Sequence, residues 1–303
     1  MKTILYIGLG IFGIGFLIFW IVALINERRK RELPGALDLG IGLVVNFFDA
    51  LGIGSFATTT SCYKLLGIVK DEDIPGTLNI GVTLPSILEG FLYLAVVDVE
   101  PVTLTLMIAG ATVGASFGGG IVSRWPRRKI QIGMGVALLV TAAFGLLSKL
   151  GFIPGGGDLL GLSGFKLALA TGVSTILGAL MTLGIGYFAP TMMVVYLMGM
   201  NPKAAFPIMM GAVAFLEPGA SVPFVRRSRY SIKSALGLTL GGIPGVLLAA
   251  LLVKSLPLDV LRWLVIAVVL YTAIMMLRSA AVERAKPAVA SSSGPAIEPA
   301  QTS

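Results

Sequence analysis

Two ten-residue segments of this chain place glycines directly before side chains that carry hydroxyl groups. They are LGIGSFATTT at residues 51–60 and LGIGYFAPTM at residues 183–192, and seven of the ten positions are identical. Glycine lets a backbone approach a ligand closely, and a helix that begins just after such a turn offers unpaired N–H groups and a positive dipole end. Backbone N–H and hydroxyl groups can together coordinate an oxyanion without a buried arginine.

These segments and one neighbouring amide supply the candidate anion-binding residues. They are Gly52, Gly54, Ser55, Thr58, Thr59, Thr60, Asn79, Gly184, Gly186, Tyr187 and Thr191. The alternative is that the glycines and hydroxyls only let helices pack closely. Because the motif occurs twice at matched positions, we favour a binding role for it. For Asn79 an interhelical hydrogen bond explains the residue equally well.

Three carboxylates, Asp49, Glu89 and Glu217, lie within or beside apolar segments. Ionisable residues in such places are rare and are functional candidates by default. Because a carboxylate repels an anionic ligand, we interpret the three as proton-coupling residues. The alternative is that Glu89 and Glu217 lie near the membrane edge and reach headgroups, or that Glu217 caps a helix broken at Pro218. The sequence leaves both interpretations open.

The composition indicates a membrane protein. Hydrophobic residues make up 56% of the chain and charged residues 13%, about half the charged share of a soluble domain. A single cysteine excludes an intrachain disulfide, and the absence of histidine leaves no Cys/His metal-site spacing. We therefore predict no metal site of the Cys/His type. The net charge is +8. The basic residues sit in short clusters between apolar segments, a pattern of cytoplasmic loops that argues against nucleic-acid binding.

Seven segments are apolar over a length that spans a bilayer. The predicted spans are residues 4–25, 75–97, 102–122, 130–147, 204–225, 232–253 and 258–276. The first is followed by a basic cluster and by no small-residue cleavage site, so we expect a retained anchor helix.

Basic clusters fix the expected orientation. They occupy residues 28–31, 124–129, 226–233 and 278–286, and the positive-inside rule makes them cytoplasmic. Residues 98–100, 151–164 and 254–259 then face outward. The sequence thus predicts a multi-pass protein of the cell (inner) membrane with its N-terminus outside and its C-terminus cytoplasmic.

This orientation requires the segments that carry the motifs to return to the side they enter from. Residues 36–66 give each arm of a hairpin about 15 residues, or about 23 Å of helix against a hydrocarbon core of about 30 Å. We predict a re-entrant hairpin with its tip at LGIGS, and a matching one at 165–199 that enters from the other side. The alternative is a single long, kinked helix.

The two motifs lie 132 positions apart, and the correspondence continues with Gly110 and Gly241 and with Gly114 and Gly245. Corresponding loops have opposite charge character, as inverted-topology repeats require. The predicted fold is an all-α polytopic membrane protein with two inverted repeats, each a re-entrant hairpin plus three transmembrane helices. The predicted boundaries are 1–35 (anchor helix and basic loop), 36–150 and 165–280 (repeats), 151–164 (external linker) and 281–303 (disordered cytoplasmic tail).

The duplicated LGIGSF and LGIGYFAP segments and the basic mid-chain loop resemble the TauE/SafE-type sulfite exporter family, also called the 4-toluene sulfonate uptake permeases. The resemblance covers residues 36–276, although this chain has LGIGS where other members carry three consecutive glycines. It implies transport of small sulfur-containing anions, such as sulfite or organosulfonates, without ATP or a metal cofactor.

The predicted function is secondary transport of a small anion by alternating access, with protons as the candidate coupling ion. An anion channel is the first alternative. A membrane-embedded enzyme is less favoured because no nucleophile and base form a recognisable set. The lipid bilayer and the small anion are the expected partners, and association of several copies stays open.

Overall fold

The computed structural model describes residues 2–27, 32–94, 98–152, 157–183, 187–252, 270–271 and 273–282. This part of the chain is helical, and its one extended pairing is an isolated bridge between Leu159 and Met200. The helices are α1 (Lys2–Asn26), α2 (Ala36–Ala50), α3 (Ser55–Leu66), α4 (Ile74–Tyr93), α5 (Pro101–Val122), α6 (Arg127–Lys149), α7 (Gly164–Met181), α8 (Phe188–Leu197), α9 (Ala205–Arg226), α10 (Ile232–Leu252) and α11 (Ala273–Val282), with short 3₁₀ turns at Asp71–Asp73 and Pro202–Ala204.

Five of these helices, α1, α5, α7, α9 and α10, are long and apolar enough to cross a membrane. The predicted spans 75–97 and 130–147 are also helical as far as they are described, as α4 and α6, and residues 130–147 of α6 carry no charged side chain. Most of the predicted span 258–276 lies outside the described residues. Its visible end, α11, continues to Val282, so the boundary predicted at residue 281 falls inside a helix.

The first predicted hairpin is interrupted at its glycines. α2 ends after 15 residues and α3 has 12 residues, with the chain between them in a turn. Gly52 and Gly54 have φ angles of +81° and +92°, which residues with a Cβ rarely adopt. The motif therefore breaks the helix because its glycines allow a backbone that other residues resist.

The second predicted hairpin is also divided, into α7 and α8. α7 has 18 residues, which is about 27 Å of helix and three residues more than α2 of the first hairpin. α8 has 10 residues. Gly184 and Gly186 lie outside the described residues, so the turn that they were predicted to form is not described.

The centre of the molecule is the contact between α4 and α9. Both helices are buried along most of their length, and both contain internal prolines, at Pro85 and at Pro218 and Pro223. Thr83 and Ser221 share a hydrogen bond of 3.1 Å across this contact. These two helices carry Asn79, Glu89 and Glu217. Polar and ionisable side chains are costly in contact with lipid, and here they lie inside the protein instead.

The remaining large contacts cross between the two halves of the sequence. α2 packs on α10, and α7 packs on α5. A Cβ at Gly114 would collide with the Thr175 carbonyl on α7, and a Cβ at Gly245 would collide with the Leu43 carbonyl on α2. Small residues let helices approach closely where apolar packing alone gives little preference for protein over lipid. The matched glycines of the predicted repeats therefore make equivalent contacts.

An ionic cluster joins the C-terminal end of α3 to the start of α6. Asp71 accepts hydrogen bonds from Lys64 (2.7 and 2.8 Å) and Gln131 (2.8 Å), and Arg127 lies 3.4 Å away. Burial alone would raise the pKa of Asp71, but the bonds from Lys64 and Gln131 and the charges of Lys64 and Arg127 outweigh it, so this pKa lies below its ordinary value. Asp71 is therefore stabilised in its ionised form.

Candidate functional site

At the first motif, the carboxylate of Asp49 accepts two hydrogen bonds from Ser55. Ser55 is the first residue of α3, and its N–H donates to Asp49 Oδ1 at 2.8 Å. The Ser55 hydroxyl donates to Asp49 Oδ2, also at 2.8 Å. Asp49 is only 4% exposed. The sequence assigned Ser55 to anion binding and Asp49 to proton coupling as separate residues, whereas the structure joins them in one bidentate contact.

Two of the threonines that follow Ser55 are engaged within the helix. Thr58 and Thr59 both donate to the Ser55 carbonyl, at 2.9 and 2.7 Å. This back-bonding is a usual arrangement for threonine in helices. Thr60 is fully buried, and its hydroxyl has no hydrogen-bond partner among the described residues. The dense run of hydroxyls therefore offers fewer free donors than its composition suggests.

At the second tip, Tyr187 is buried and its hydroxyl shares a hydrogen bond with Ser174 of α7. Ser174 in turn donates to the Met107 carbonyl of α5 at 2.8 Å. Thr191 is also buried, and its N–H donates to the Tyr187 carbonyl at 3.2 Å. Sequence reasoning missed Ser174, because a lone serine in an apolar span gives no signal of its partner.

A small cavity separates the two tips. It is lined by Asp49, Gly54, Ser55, Phe56, Met181, Tyr187, Phe188, Val213 and Glu217. The space that it encloses corresponds to about one water molecule, which is too small for an oxyanion. The structure thus places residues from both predicted tips around one cavity. It also adds an apolar lining that the motif alone did not indicate.

Glu89 on α4 and Glu217 on α9 are buried in the protein, at 0% and 1% exposure. Neither oxygen of Glu89 has a hydrogen-bond partner among the described residues, and the same holds for Glu217 Oε2. Glu89 lies close enough to Asp49 and Glu217 for their charges to interact. Such burial does not fit the interpretation that the two glutamates reach lipid headgroups.

Within the described residues, no group of three or more Cys, Asp or Glu side chains is arranged to hold a metal ion. A buried ionised carboxylate without a partner is costly. Glu89 is therefore chemically suited to carry a proton.

Asn79 is not among the residues that line the cavity. Its amide donates to the Pro75 carbonyl at 2.7 Å, within α4, and its Oδ1 has no hydrogen-bond partner in the described part of the chain. The interhelical bond considered from the sequence is therefore not made by the Asn79 amide nitrogen.

The C-terminal half of the chain resembles a known protein family. Residues 162–300 match the model of the family described as sulfite exporter TauE/SafE. No curated protein and no solved structure is matched. The resemblance predicted from the duplicated motif is confirmed for this part of the chain, which contains the second motif and continues into the segment predicted to be a tail.

Proposed function

We propose that this chain, whose residues 162–300 match the sulfite exporter TauE/SafE family, is a secondary transporter of a small anion. Sulfite and organosulfonates are the first candidates, because the family's description names sulfite. The observation that carries the proposal is the cavity between the two motif tips, where α3 begins with an N–H and a hydroxyl donor. We assign this protein no catalytic role.

Alternating access is the mechanism that the cavity favours. A space of about one water molecule cannot hold an oxyanion, so the tips must separate before the anion enters. Phe56, Phe188 and Val213 line the same space and contribute apolar walls that oppose free passage of ions. This lining favours a carrier over the alternative of an anion channel.

Protons are the proposed coupling ion. Glu89 and Glu217 lie on the two central helices, and each has at least one buried oxygen without a partner among the described residues. A carboxylate in such a place can take up and release a proton as its surroundings change. Proton uptake would offset the charge of the transported anion.

The inverted-repeat architecture and its orientation are part of the proposal. The equivalent contacts of Gly114 with α7 and of Gly245 with α2 support two related units at residues 36–150 and 165–280, each beginning with a re-entrant hairpin. Inverted repeats place a substrate site where their broken helices meet. The N-terminus is proposed to lie outside the cell membrane and the C-terminus in the cytoplasm.

Flux into proteoliposomes tests the function. Radiolabelled sulfite, methanesulfonate and acetate are offered to vesicles loaded with the same unlabelled anion, with and without a pH gradient, and protein-free vesicles are the control. We expect saturable counterflow of a sulfur-containing anion that responds to the pH gradient. Conductance at channel rates without saturation would instead establish the channel, and no flux of any anion would reject both.

A further inference from the structure

In this structure the donors that the proposed function assigns to the anion are already occupied. Asp49 presents two oxygens on one carbon, and each accepts a hydrogen bond of 2.8 Å from Ser55. One donor is the backbone N–H at the start of α3 and the other is the side-chain hydroxyl. A carboxylate bound in this way has the same kind of contact that a sulfonate or sulfite would make through two of its oxygens.

We propose that Asp49 is a tethered ligand of the anion site, which the transported anion must displace from Ser55 in order to bind. The inference rests on the proposed function and adds to it a competitor within the chain. It also defines the substrate by chemistry: two oxygens on one central atom, positioned to accept one N–H and one O–H. Chloride and other single-atom anions do not meet that requirement.

A second observation marks this place as a site. Glu217 lines the same cavity, is 1% exposed, and its Oε2 has no hydrogen-bond partner among the described residues. The position that corresponds to Asp49 in the second half is Met181, which also lines the cavity. The two tips are therefore unequal, because only the first carries a carboxylate able to cap its own helix.

Displacement of Asp49 has a consequence for protons. The titratable groups that face Asp49 are Glu89 on α4, Glu217 on α9 and Tyr187 before α8. The nearest described lysine on α10, Lys233, lies at the other end of α2, 3.9 Å from Asp38. A displaced Asp49 thus meets acidic neighbours and an incoming anion, and it takes up a proton that reaches it from water by way of Glu89, the coupling residue beside it. Binding of one anion is accompanied by uptake of one proton.

The test measures binding of methanesulfonate, which stays ionised from mildly acidic to neutral pH, to the purified full-length protein. For the wild type we expect affinity to fall by up to about tenfold for each pH unit of increase. Calorimetry in two buffers of different ionisation enthalpy should show uptake of about one proton. Sulfite and chloride are measured at one pH as a second two-oxygen probe and as the single-atom comparison.

The decisive variant is Asp49→Asn, which keeps the shape of the side chain and removes its charge. We expect it to bind methanesulfonate about tenfold more tightly at neutral pH, since a charge-assisted competitor has been removed, and to take up no proton. Asp38→Asn is the matched control. Asp38 is a buried aspartate of the same helix that accepts from Gly35 N–H at 3.0 Å, far from the tip, so its variant should keep the wild-type pH dependence.

Ser55→Ala keeps the inference falsifiable if Asp49→Asn is poorly folded, which size-exclusion and thermal unfolding would reveal. Loss of the hydroxyl removes the same donor from Asp49 and from the anion, so affinity alone should change little. The preference for methanesulfonate over chloride should instead fall by about tenfold, because only one donor is left to match. An unchanged preference in Ser55→Ala, or unchanged affinity or unchanged proton uptake in a folded Asp49→Asn, would overturn the tethered ligand while leaving transport intact. Failure of the wild type to bind either sulfur anion would instead contradict the proposed function itself.

Discussion

At the scale of single residues, the site is defined by which polar atoms already have partners. Ser55 is held by Asp49, and Tyr187 is held by Ser174. The two carboxylate oxygens of Glu89 have no hydrogen-bond partner among the described residues. A buried polar group normally finds a partner, so Glu89 stands out as the side chain whose protonation state is set by its surroundings rather than by a fixed bond.

Glu89→Gln tests the proton-coupling role. Glutamine cannot take up or release a proton, so we expect counterflow of the anion to continue while the stimulation by a pH gradient is lost. The measurement is the ratio of initial uptake rates with and without the gradient in proteoliposomes. Glu32→Gln, a change at an exposed loop glutamate, is the control and should keep the ratio. A Glu89→Gln variant that responds to the gradient as the wild type does would exclude Glu89 from coupling.

The residue types at the tip were predictable from the sequence, but their partners were not. The glycines and hydroxyls are visible as a repeated motif, and the φ angles of Gly52 and Gly54 follow from it. The bond between Asp49 and Ser55 depends on how far the chain turns in four residues, and a motif does not specify that. Ser174 and Met181 were missed because each looks like an ordinary residue of an apolar helix.

At the scale of helices, close approach through glycine determines which helices touch. Gly114 and Gly245 contact carbonyl groups of α7 and α2. The equivalence of these glycines was predictable from their spacing in the sequence. Their contact partners were not, because a repeat shows which positions correspond and leaves open which helices lie side by side.

Gly114→Ala should lower stability by about 1–3 kcal/mol, because an added Cβ forces α5 away from α7. Gly120→Ala in the same helix is the matched control. A Cβ at Gly120 meets nothing within 4 Å, so we expect no loss there and a gain of up to about 1 kcal/mol. Thermal unfolding in detergent measures both. Equal effects at the two positions would show that the α5–α7 contact does not limit stability.

The ionic cluster at Asp71 should make stability depend on acid. Since the pKa of Asp71 lies below its ordinary value of 3.8, its contribution is present above that pH and is lost as the pH falls through the lowered value. Asp71→Asn should cost about 2 kcal/mol at neutral pH, mainly through the loss of the charged partner of Lys64, because the half-exposed Arg127 adds little.

Unfolding midpoints measured from neutral to strongly acidic pH check this prediction. The difference between wild type and Asp71→Asn should shrink as the pH decreases. Asp158→Asn, at an exposed loop position, is the control and should follow the wild type throughout. A constant difference at every pH would mean that Asp71 acts through its shape and not through its charge.

At the scale of the whole molecule, loop charges predict which ends of the helices face the cytoplasm. Ser163 and Ser228 are both exposed, and they lie in loops that the positive-inside rule places on opposite sides. The helices agree with most predicted spans because hydrophobicity is a property of the sequence itself. α4 is the partial exception, since a helix that is enclosed by protein can be more polar than one that faces lipid.

Cysteine labelling tests the proposed orientation. Cys62 is replaced by serine, and Ser163→Cys or Ser228→Cys is introduced as a near-isosteric change. A membrane-impermeant maleimide should label Ser163→Cys in intact cells and Ser228→Cys only after the membrane is opened. Labelling of both positions from outside would contradict the inverted arrangement. Labelling of Ser228→Cys in intact cells, with Ser163→Cys labelled only after the membrane is opened, would mean that the protein has the opposite orientation in the membrane.

The crossed packing of α2 with α10 and of α7 with α5 has a consequence for how the protein is made. During synthesis α2 enters the membrane long before α10 has been translated, so the groove that will receive it does not yet exist. Until then, the surface of α2 that packs on α10 faces lipid or other helices. The early helices are therefore loosely packed at this stage and can form non-native contacts. Final packing becomes a late event of biogenesis, in which the last helices complete the contacts of the first.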